Sequence, residues 1–475
     1  MKSKKELEEM FGGRYEEMLK EAEKSKKDNN ESKKETVEVI KSNENINSLS
    51  KLKEKLEPLF PDIWEEIKIC LSVYSTLLLK NLNGCVSLIL VGPPSSQKTT
   101  ALSLFYGFNL SQVEDNFSPR GFVSHSSAFS EKQLREEIDL LPKLKNKCLL
   151  SPELAPIFEC NKDKLIDNFS ILTRVLDGEG LSTHTGAKGT RSYQGDYCFT
   201  WLGATTPLRH SVWKLMGKLG NRLFFWQINK KEKSDEELTS MFLNPEREYS
   251  DRVKIGRGYV HSFLKNLFDN DNRRSLEWDR DKDKFVFPII VRYARLLTLL
   301  RGTLMIWKGN EDKKYEYSIP VIEEPPRAIS ALYNFARGHA IVNGRKYLLE
   351  EDLEIVKKIA LSSMPHDRRK VLEIMLKHDG RASTSVISEE LNTSSDTASR
   401  TMKIFSILGV ADKKSIQIDT GESGRPEHYI ELKPKFKELL VNRGSKNNEI
   451  NILNSEKNTS PPKDEEYKVE HEYVA

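Results

Sequence analysis

Leu88-Ile89-Leu90-Val91-Gly92-Pro93-Pro94-Ser95-Ser96-Gln97-Lys98-Thr99-Thr100-Ala101-Leu102 is the stretch that decides the fold. Its apolar opening reads as a buried strand, Gly92-Pro93-Pro94 as a tight turn, and Lys98 as the first residue of a helix. This is the layout of a phosphate-binding loop, in which backbone N–H groups surround phosphate oxygens at a helix N-terminus. In that layout Lys98 supplies a compact positive charge to the β- and γ-phosphates. The Thr99 hydroxyl ligates Mg²⁺, whose octahedron is completed by water and phosphate oxygens. The expected nucleotide-contacting residues are Gly92, Pro93, Pro94, Ser95, Ser96, Gln97, Lys98, Thr99 and Thr100, and the expected cofactors are ATP and Mg²⁺. Gln97 stands where such loops usually carry glycine.

Outward from this loop, short apolar runs at residues 147–150, 197–202 and 222–228 alternate with helical patterns. The alternation predicts an α/β core over residues 83–230, a parallel sheet with crossover helices. Apolar residues at helical spacing between Leu52 and Leu78 are interrupted by Pro58 and Pro61, which predicts two helices in a lead-in over residues 48–82. Residues 231–365 read as a mainly helical lid region, and residues 366–441 as a further small domain. The ends, 1–47 and 442–475, are dense in Lys, Glu, Asn and Ser and are expected to be disordered.

Composition narrows the class. The 475 residues are 37% hydrophobic and 31% charged, the balance of a soluble protein of two or three domains. A net charge of +4 neither demands nor excludes nucleic acid, so the local distribution of charge has to decide. Five scattered cysteines without a C-x-x-C pair argue for a reducing compartment and against a zinc ribbon or disulfide framework. The most apolar long stretch, 285–307, is broken by Arg292, Arg295 and Arg301, which favours an amphipathic helix over a membrane span. No apolar leader is evident, and a cytoplasmic protein without membrane contact is expected.

Polar residues at the ends of the predicted strands supply the candidate chemistry. Glu153 follows the second strand, where a carboxylate polarises attacking water; a glutamate there equally suits the dipole of a helix beginning near Pro152. Ser151-Pro152 stand where such strands carry a metal-binding aspartate, leaving Ser151 as a second hydroxyl for Mg²⁺ beside Thr99. Thr206 ends the third strand, expected between the first two and close to the γ-phosphate. Arg222, opening an apolar strand, and Arg327, after Pro325-Pro326, offer guanidinium groups suited to charge that grows on the γ-phosphate.

With these motifs in order, roughly residues 75–440 resemble an AAA+ ATPase, and within that superfamily the ATPase module of minichromosome maintenance (MCM) helicases. MCM loops carry Ala-Lys-Ser, so a residue other than glycine before the lysine has a precedent there. Ala204-Thr205-Thr206-Pro207 is similar to the family's Ala-x-x-Asn-Pro sensor stretch, and Asn221-Arg222-Leu223-Phe224 to the segment whose arginine reaches a neighbouring subunit's ATP. Pro326-Arg327-Ala328-Ile329-Ser330-Ala331-Leu332 resembles its lid helix with a sensor arginine. Thr185-Gly186-Ala187-Lys188-Gly189-Thr190-Arg191 resembles the tip of a hairpin that projects into a central pore, which implies that Lys188 and Arg191 grip DNA phosphates. The resemblance implies a ring-forming homo-oligomer, such as a hexamer, acting on DNA.

The last domain can be read from its own residues. Helices around Val371–Leu376, Val386–Leu391 and 395–408, then two strands around a polar tip, form the winged-helix plan. In that plan the third helix enters the major groove, which makes Thr397, Arg400, Thr401 and Lys403 the candidates for DNA contact, with Arg425 reaching out from the wing. The same fold also serves protein contact. The sequence therefore predicts an ATP-hydrolysing, helicase-like motor on DNA. Two alternatives remain: an ATP-gated DNA-binding regulator or replication initiator with weak hydrolysis, and a mobile-element accessory ATPase.

Overall fold

In the computed structural model the described residues are 45–186, 189–220, 222–229, 233–243, 248–269, 272–308, 315–416, 427–437 and 439. The two expected disordered ends, 1–47 and 442–475, fall almost wholly outside them, as do Lys188 and Arg425.

All six residues of the strand Val86–Val91 (β1) are buried, so both faces of that strand need cover. A parallel sheet meets this requirement by placing crossover helices on both sides. Beside β1 run Ser111–Val113 (β2), Cys148–Ser151 (β3), Thr200–Thr205 (β6) and Phe224–Gln227 (β7), in the order β2-β3-β6-β1-β7. Every pairing among them is parallel. The chain is thus mixed α/β with a parallel central sheet. The sequence places three of the strands within two residues of their observed starts. β6 begins later than residue 197: before it, the Asp196 carboxylate accepts the Cys198 N–H at 3.1 Å and takes that amide away from strand pairing.

Side chains alternate across the sheet and feed two separate cores. Leu88, Leu90, Leu150, Leu202 and Trp226 join a large core with the lead-in and the lid helices. Ile89, Val91, Leu149, Trp201 and Phe225 join a smaller one closed by the helix Lys162–Leu176 and by residues 122–144. On the larger side the helices Trp64–Ser75 and Pro326–Val342 cross closely. A Cβ on Gly338 would lie 2.0 Å from the Ser72 carbonyl oxygen, so only glycine fits that crossing. The Ser75 hydroxyl donates to the Gly338 carbonyl at 2.9 Å and satisfies a polar group that the contact buries.

An antiparallel hairpin, Gly180–Thr185 (β4) with Gly189–Gln194 (β5), is inserted between the helix Lys162–Leu176 and β6. A second hairpin, Ile306–Lys308 (β8) with Tyr315–Tyr317 (β9), stands in the lid region. The C-terminal part consists of the helices His366–Lys377, Thr384–Glu390 and Ser395–Ile407. They pack on an antiparallel sheet in the order Arg381–Ser383 (β10), Glu427–Leu432 (β12), Ala411–Ile416 (β11). Its Leu372, Met375, Phe405 and Leu432 belong to the larger core. Buried Arg368 ties it to the lid by donating to the Leu300 carbonyl at 2.7 Å and to that of Gly302. All five cysteines are free. Among the described residues no helix is long and apolar enough to cross a membrane.

Candidate functional site

The loop after β1 is built by two left-handed residues. Ser95 and Gln97 have φ values of 62° and 65°, and Gln97 precedes the helix Lys98–Ser103. Glycine is the usual choice at Gln97's position because this conformation crowds any Cβ; here glutamine bears the strain. Gly92 has its own reason to be glycine, since a Cβ there would lie 2.7 Å from Ser96 Oγ. Lys98 Nζ curls into the loop and donates to the carbonyls of Gly92 (2.8 Å) and Pro93 (2.7 Å) and to Ser96 Oγ (3.2 Å). Partial burial lowers the Lys98 ammonium pKa, while the nearby Glu153 carboxylate opposes that shift.

The neighbouring strand ends converge on this loop. β6 lies between β1 and β3, and the Gly92 N–H donates to the Thr205 carbonyl, so Thr206 follows directly beside the loop. Glu153 accepts the Ala155 N–H at 2.8 Å, at the start of the four-residue helix Ala155–Phe158, while remaining within electrostatic reach of Lys98. Its capping contact and its position near the lysine are thus both present. Thr99 is exposed, but Thr100 is buried and its hydroxyl shares a 2.7 Å hydrogen bond with Tyr249 of the helix Tyr249–Leu267. Ser151 is corrected as a metal ligand: it is fully buried and its Oγ accepts the Trp201 indole N–H at 3.0 Å. Its hydroxyl is spent inside the core.

The two arginines lie elsewhere. Arg222 precedes β7, and its carbonyl accepts from the Ser87 hydroxyl near the start of β1. This is the amino end of the sheet, about 17 Å along β1 from the loop at ~3.3 Å per residue. The Arg222 guanidinium pairs with Asp177 at 3.1 Å and donates to the Gly220 carbonyl at 3.0 Å. Arg327 approaches the same place: a Cβ on Gly220 would lie 2.8 Å from Arg222 Nη1 and 3.4 Å from Arg327 Nη1. Arg327 is half-exposed and ion-paired with Glu323 at 3.1 Å. Both arginines line a cavity of about 820 Å³, together with Arg174, Asp177 and Asn334. Within one chain, then, Lys98, Thr99, Glu153 and Thr206 gather at one end of the sheet, and Arg222 and Arg327 at the other.

Arg191 is corrected as a DNA contact. It is 3% exposed and pairs with fully buried Asp139 at 2.8 Å. Asp139 also accepts from the Tyr193 hydroxyl (2.6 Å) and the Ser124 N–H (2.8 Å), and Arg191 donates to the Ser124 carbonyl. Alternation along β5 turns Arg191 and Tyr193 inward, where they fasten the hairpin to the core. His125 adds a further link, hydrogen-bonding Thr183 at 2.6 Å and Thr185 at 3.0 Å; burial and the neighbouring Arg191 hold its imidazole below the usual pKa. Sequence reasoning missed Asp139. The available signal was one acid inside the apolar run Ile138-Asp139-Leu140-Leu141.

In the helix Ser395–Ile407, Ala398, Met402 and Phe405 face the core and Thr397 and Arg400 are exposed. Thr397 interacts with the cap Ser394, and the Thr401 hydroxyl bonds back to the Thr397 carbonyl at 3.1 Å. Arg400 donates to the Ile306 carbonyl at 3.4 Å, and Lys403 lies 5.6 Å from the Tyr317 ring centre. Two candidate DNA contacts therefore rest against the β8–β9 hairpin.

No protein-family model matches the chain, and no curated protein does. Among solved structures, it is similar to one described as "SCCmec type IV Cch - active helicase". The TM-score is 0.32 and the identity 10%, over 82% of this chain and 71% of that one. It is also similar to the apo A form of the NrS-1 C-terminal region, with a TM-score of 0.25 and 13% identity over 80% and 75% of the two chains. Likenesses this remote assign no activity.

Proposed function

We propose that the chain is an AAA+ ATPase of the MCM-like kind, a helicase-type motor that acts on DNA through a C-terminal winged helix. The observation that carries this reading is the division of the candidate residues between the two ends of one parallel sheet. A lysine loop, an exposed Thr99 and a nearby carboxylate suit phosphate and metal at the carboxyl ends of β1, β3 and β6. Two arginines at the amino end, about 17 Å away, are out of reach of that loop in the same chain but suit the loop of a second copy.

The donor set is compatible with Mg·ATP. Lys98 now satisfies its ammonium with loop carbonyls, groups that a phosphate would replace with stronger charge-assisted bonds. Bound there, Mg·ATP supplies the phosphoryl-transfer chemistry. Thr99 would hold the metal, Glu153 would orient water, and Thr206 would contact the outer phosphate. Arg222 and Arg327 of an adjoining copy would complete the site in a ring-forming oligomer. Lys188 and Arg425 would contact DNA together with Thr397 and Thr401.

A second reading, an ATP-gated DNA-binding regulator, is favoured by one observation: Arg400 and Lys403 are engaged by a hairpin of the lid region. DNA-stimulated ATP turnover, compared between the wild type and Lys98→Ala, tests the first reading. Equal rates in the two proteins overturn it. Strand displacement separates the two readings, because a regulator would show ATP-dependent DNA binding without unwinding.

A further inference from the structure

Arg337, in the middle of the helix Pro326–Val342, is a buried cation without a carboxylate partner. It is 3% exposed, and one of its terminal nitrogens donates to Asn334 Oδ1. Its guanidinium stacks on Tyr333 at 4.7 Å and approaches Trp278 at 6.0 Å, while its Nε has no hydrogen-bond partner. No carboxylate among the described residues is in ion-pair range of it. Asp283, whose charge acts on Arg337, is already spent on the Tyr333 hydroxyl (2.6 Å), the Trp278 N–H (2.7 Å) and the Leu348 N–H (2.9 Å). Arg280, a second guanidinium, adds like-charge repulsion. Burying an unpaired charge is costly, so an opposite charge brought to Arg337 would be favoured.

Space for such a charge adjoins it. Arg337, Tyr333 and Asn334 form the buried floor of a cavity of about 380 Å³. The exposed Arg280, Lys284 and Phe287 stand at its rim. Lys284 pairs with Asp281 at 3.0 Å, so the rim and floor together keep an excess of positive charge. The volume falls within the range of small-molecule sites and exceeds what a bare phosphate ion fills. Phe287 and Tyr333 meet edge to face with centres 5.5 Å apart, giving a flat ligand an aromatic wall.

We propose that this cavity binds a small phosphate-bearing molecule with a flat ring, of mononucleotide size, at a site separate from the Lys98 loop. The phosphate would sit between Arg337, Arg280 and Lys284, with the ring against Phe287 and Tyr333. The test uses the full chain carrying Lys98→Ala, so that the loop's contribution is removed, with AMP as the probe in equilibrium dialysis at fixed ionic strength. The expected result is one bound equivalent of AMP, displaced by inorganic phosphate and weakened at least tenfold when the exposed pair Arg280→Ala and Lys284→Ala is added. Circular dichroism of that variant confirms that the fold is retained. The proposal is overturned by absent AMP binding, by adenosine binding as tightly as AMP, or by a variant that binds as well as its parent. It is equally overturned if a single-stranded hexanucleotide outcompetes AMP, since the surface would then serve a strand rather than a small molecule.

Discussion

Replacing Arg191 with methionine separates a structural arginine from a DNA-gripping one. The methionine keeps most of the side-chain volume but removes the charge that faces Asp139, which is 0% exposed. Asp139 would retain the Tyr193 hydroxyl at 2.6 Å and the Ser124 N–H at 2.8 Å, two donors without a compensating charge. Removing one partner of a buried pair costs about 3–5 kcal/mol, because the other charge is left stranded. With a urea dependence of ~3 kcal/mol per molar, the midpoint of the sheet domain should fall by roughly 1–1.7 M. Trp201 lies in the same core and reports the transition by fluorescence. Limited proteolysis should show residues 180–194 opening first, since the pair fastens that hairpin. DNA affinity, measured well below the transition, should change by less than about twofold, as expected of a residue that makes no phosphate contact. A variant with an unshifted midpoint and severalfold weaker DNA binding would refute the reasoning.

Gln97→Gly should leave the melting temperature within about 3 °C, because relief of the left-handed strain is offset by greater freedom of the unfolded chain. Gln97→Val should instead cost 1 kcal/mol or more, since a β-branched residue resists φ near 65°; calorimetry of the two variants compares them. Asp352→Asn should destabilise the lid by about 3 kcal/mol, as it removes a fully buried carboxylate held by His339 (2.6 Å), Arg345 (2.8 Å) and the Leu349 N–H (2.7 Å). Burial alone would raise the Asp352 pKa, but these bonds outweigh it and leave the value below 3.8. Its contribution is therefore complete above the unfolded value and disappears as pH falls through the folded one, so wild type and variant should converge in stability once the pH lies below the folded value. Lys98→Ala and Arg327→Ala should each be inactive alone yet regain part of the ATP turnover when mixed; no recovery on mixing would overturn a site shared between two copies. Tyr317→Ala should free Lys403 and tighten DNA binding two- to fivefold by fluorescence anisotropy, and an unchanged affinity would show that the β8–β9 hairpin leaves that helix accessible.

Much of the fold was legible because it rests on local signals. The apolar run ending at Val91, the turn at Gly92-Pro93-Pro94 and the helix at Lys98 each follow from periodicity and turn chemistry within a few residues. The same holds for the three C-terminal helices, where Ala398, Met402 and Phe405 repeat at helical spacing. Thr206 was placed beside the loop from its position at a strand end, and the strand order puts it there.

Side-chain direction and long-range pairing were not legible. Ser151 looks like a free hydroxyl in sequence, but only the parallel alignment of β3 with β6 brings Trp201 onto it. Arg191 looks like a basic residue near an exposed tip, yet its partner Asp139 lies 52 positions earlier and no local pattern links them. Arg337 falls in a helix whose middle is buried on every side, so its lack of a carboxylate emerges only when several elements pack around it. Neighbours along the chain were enough for four of the five central strands and for the loop after β1, because periodicity and turn chemistry are local. Which charges meet water and which meet each other depends on packing, because burial and pairing join residues from distant positions.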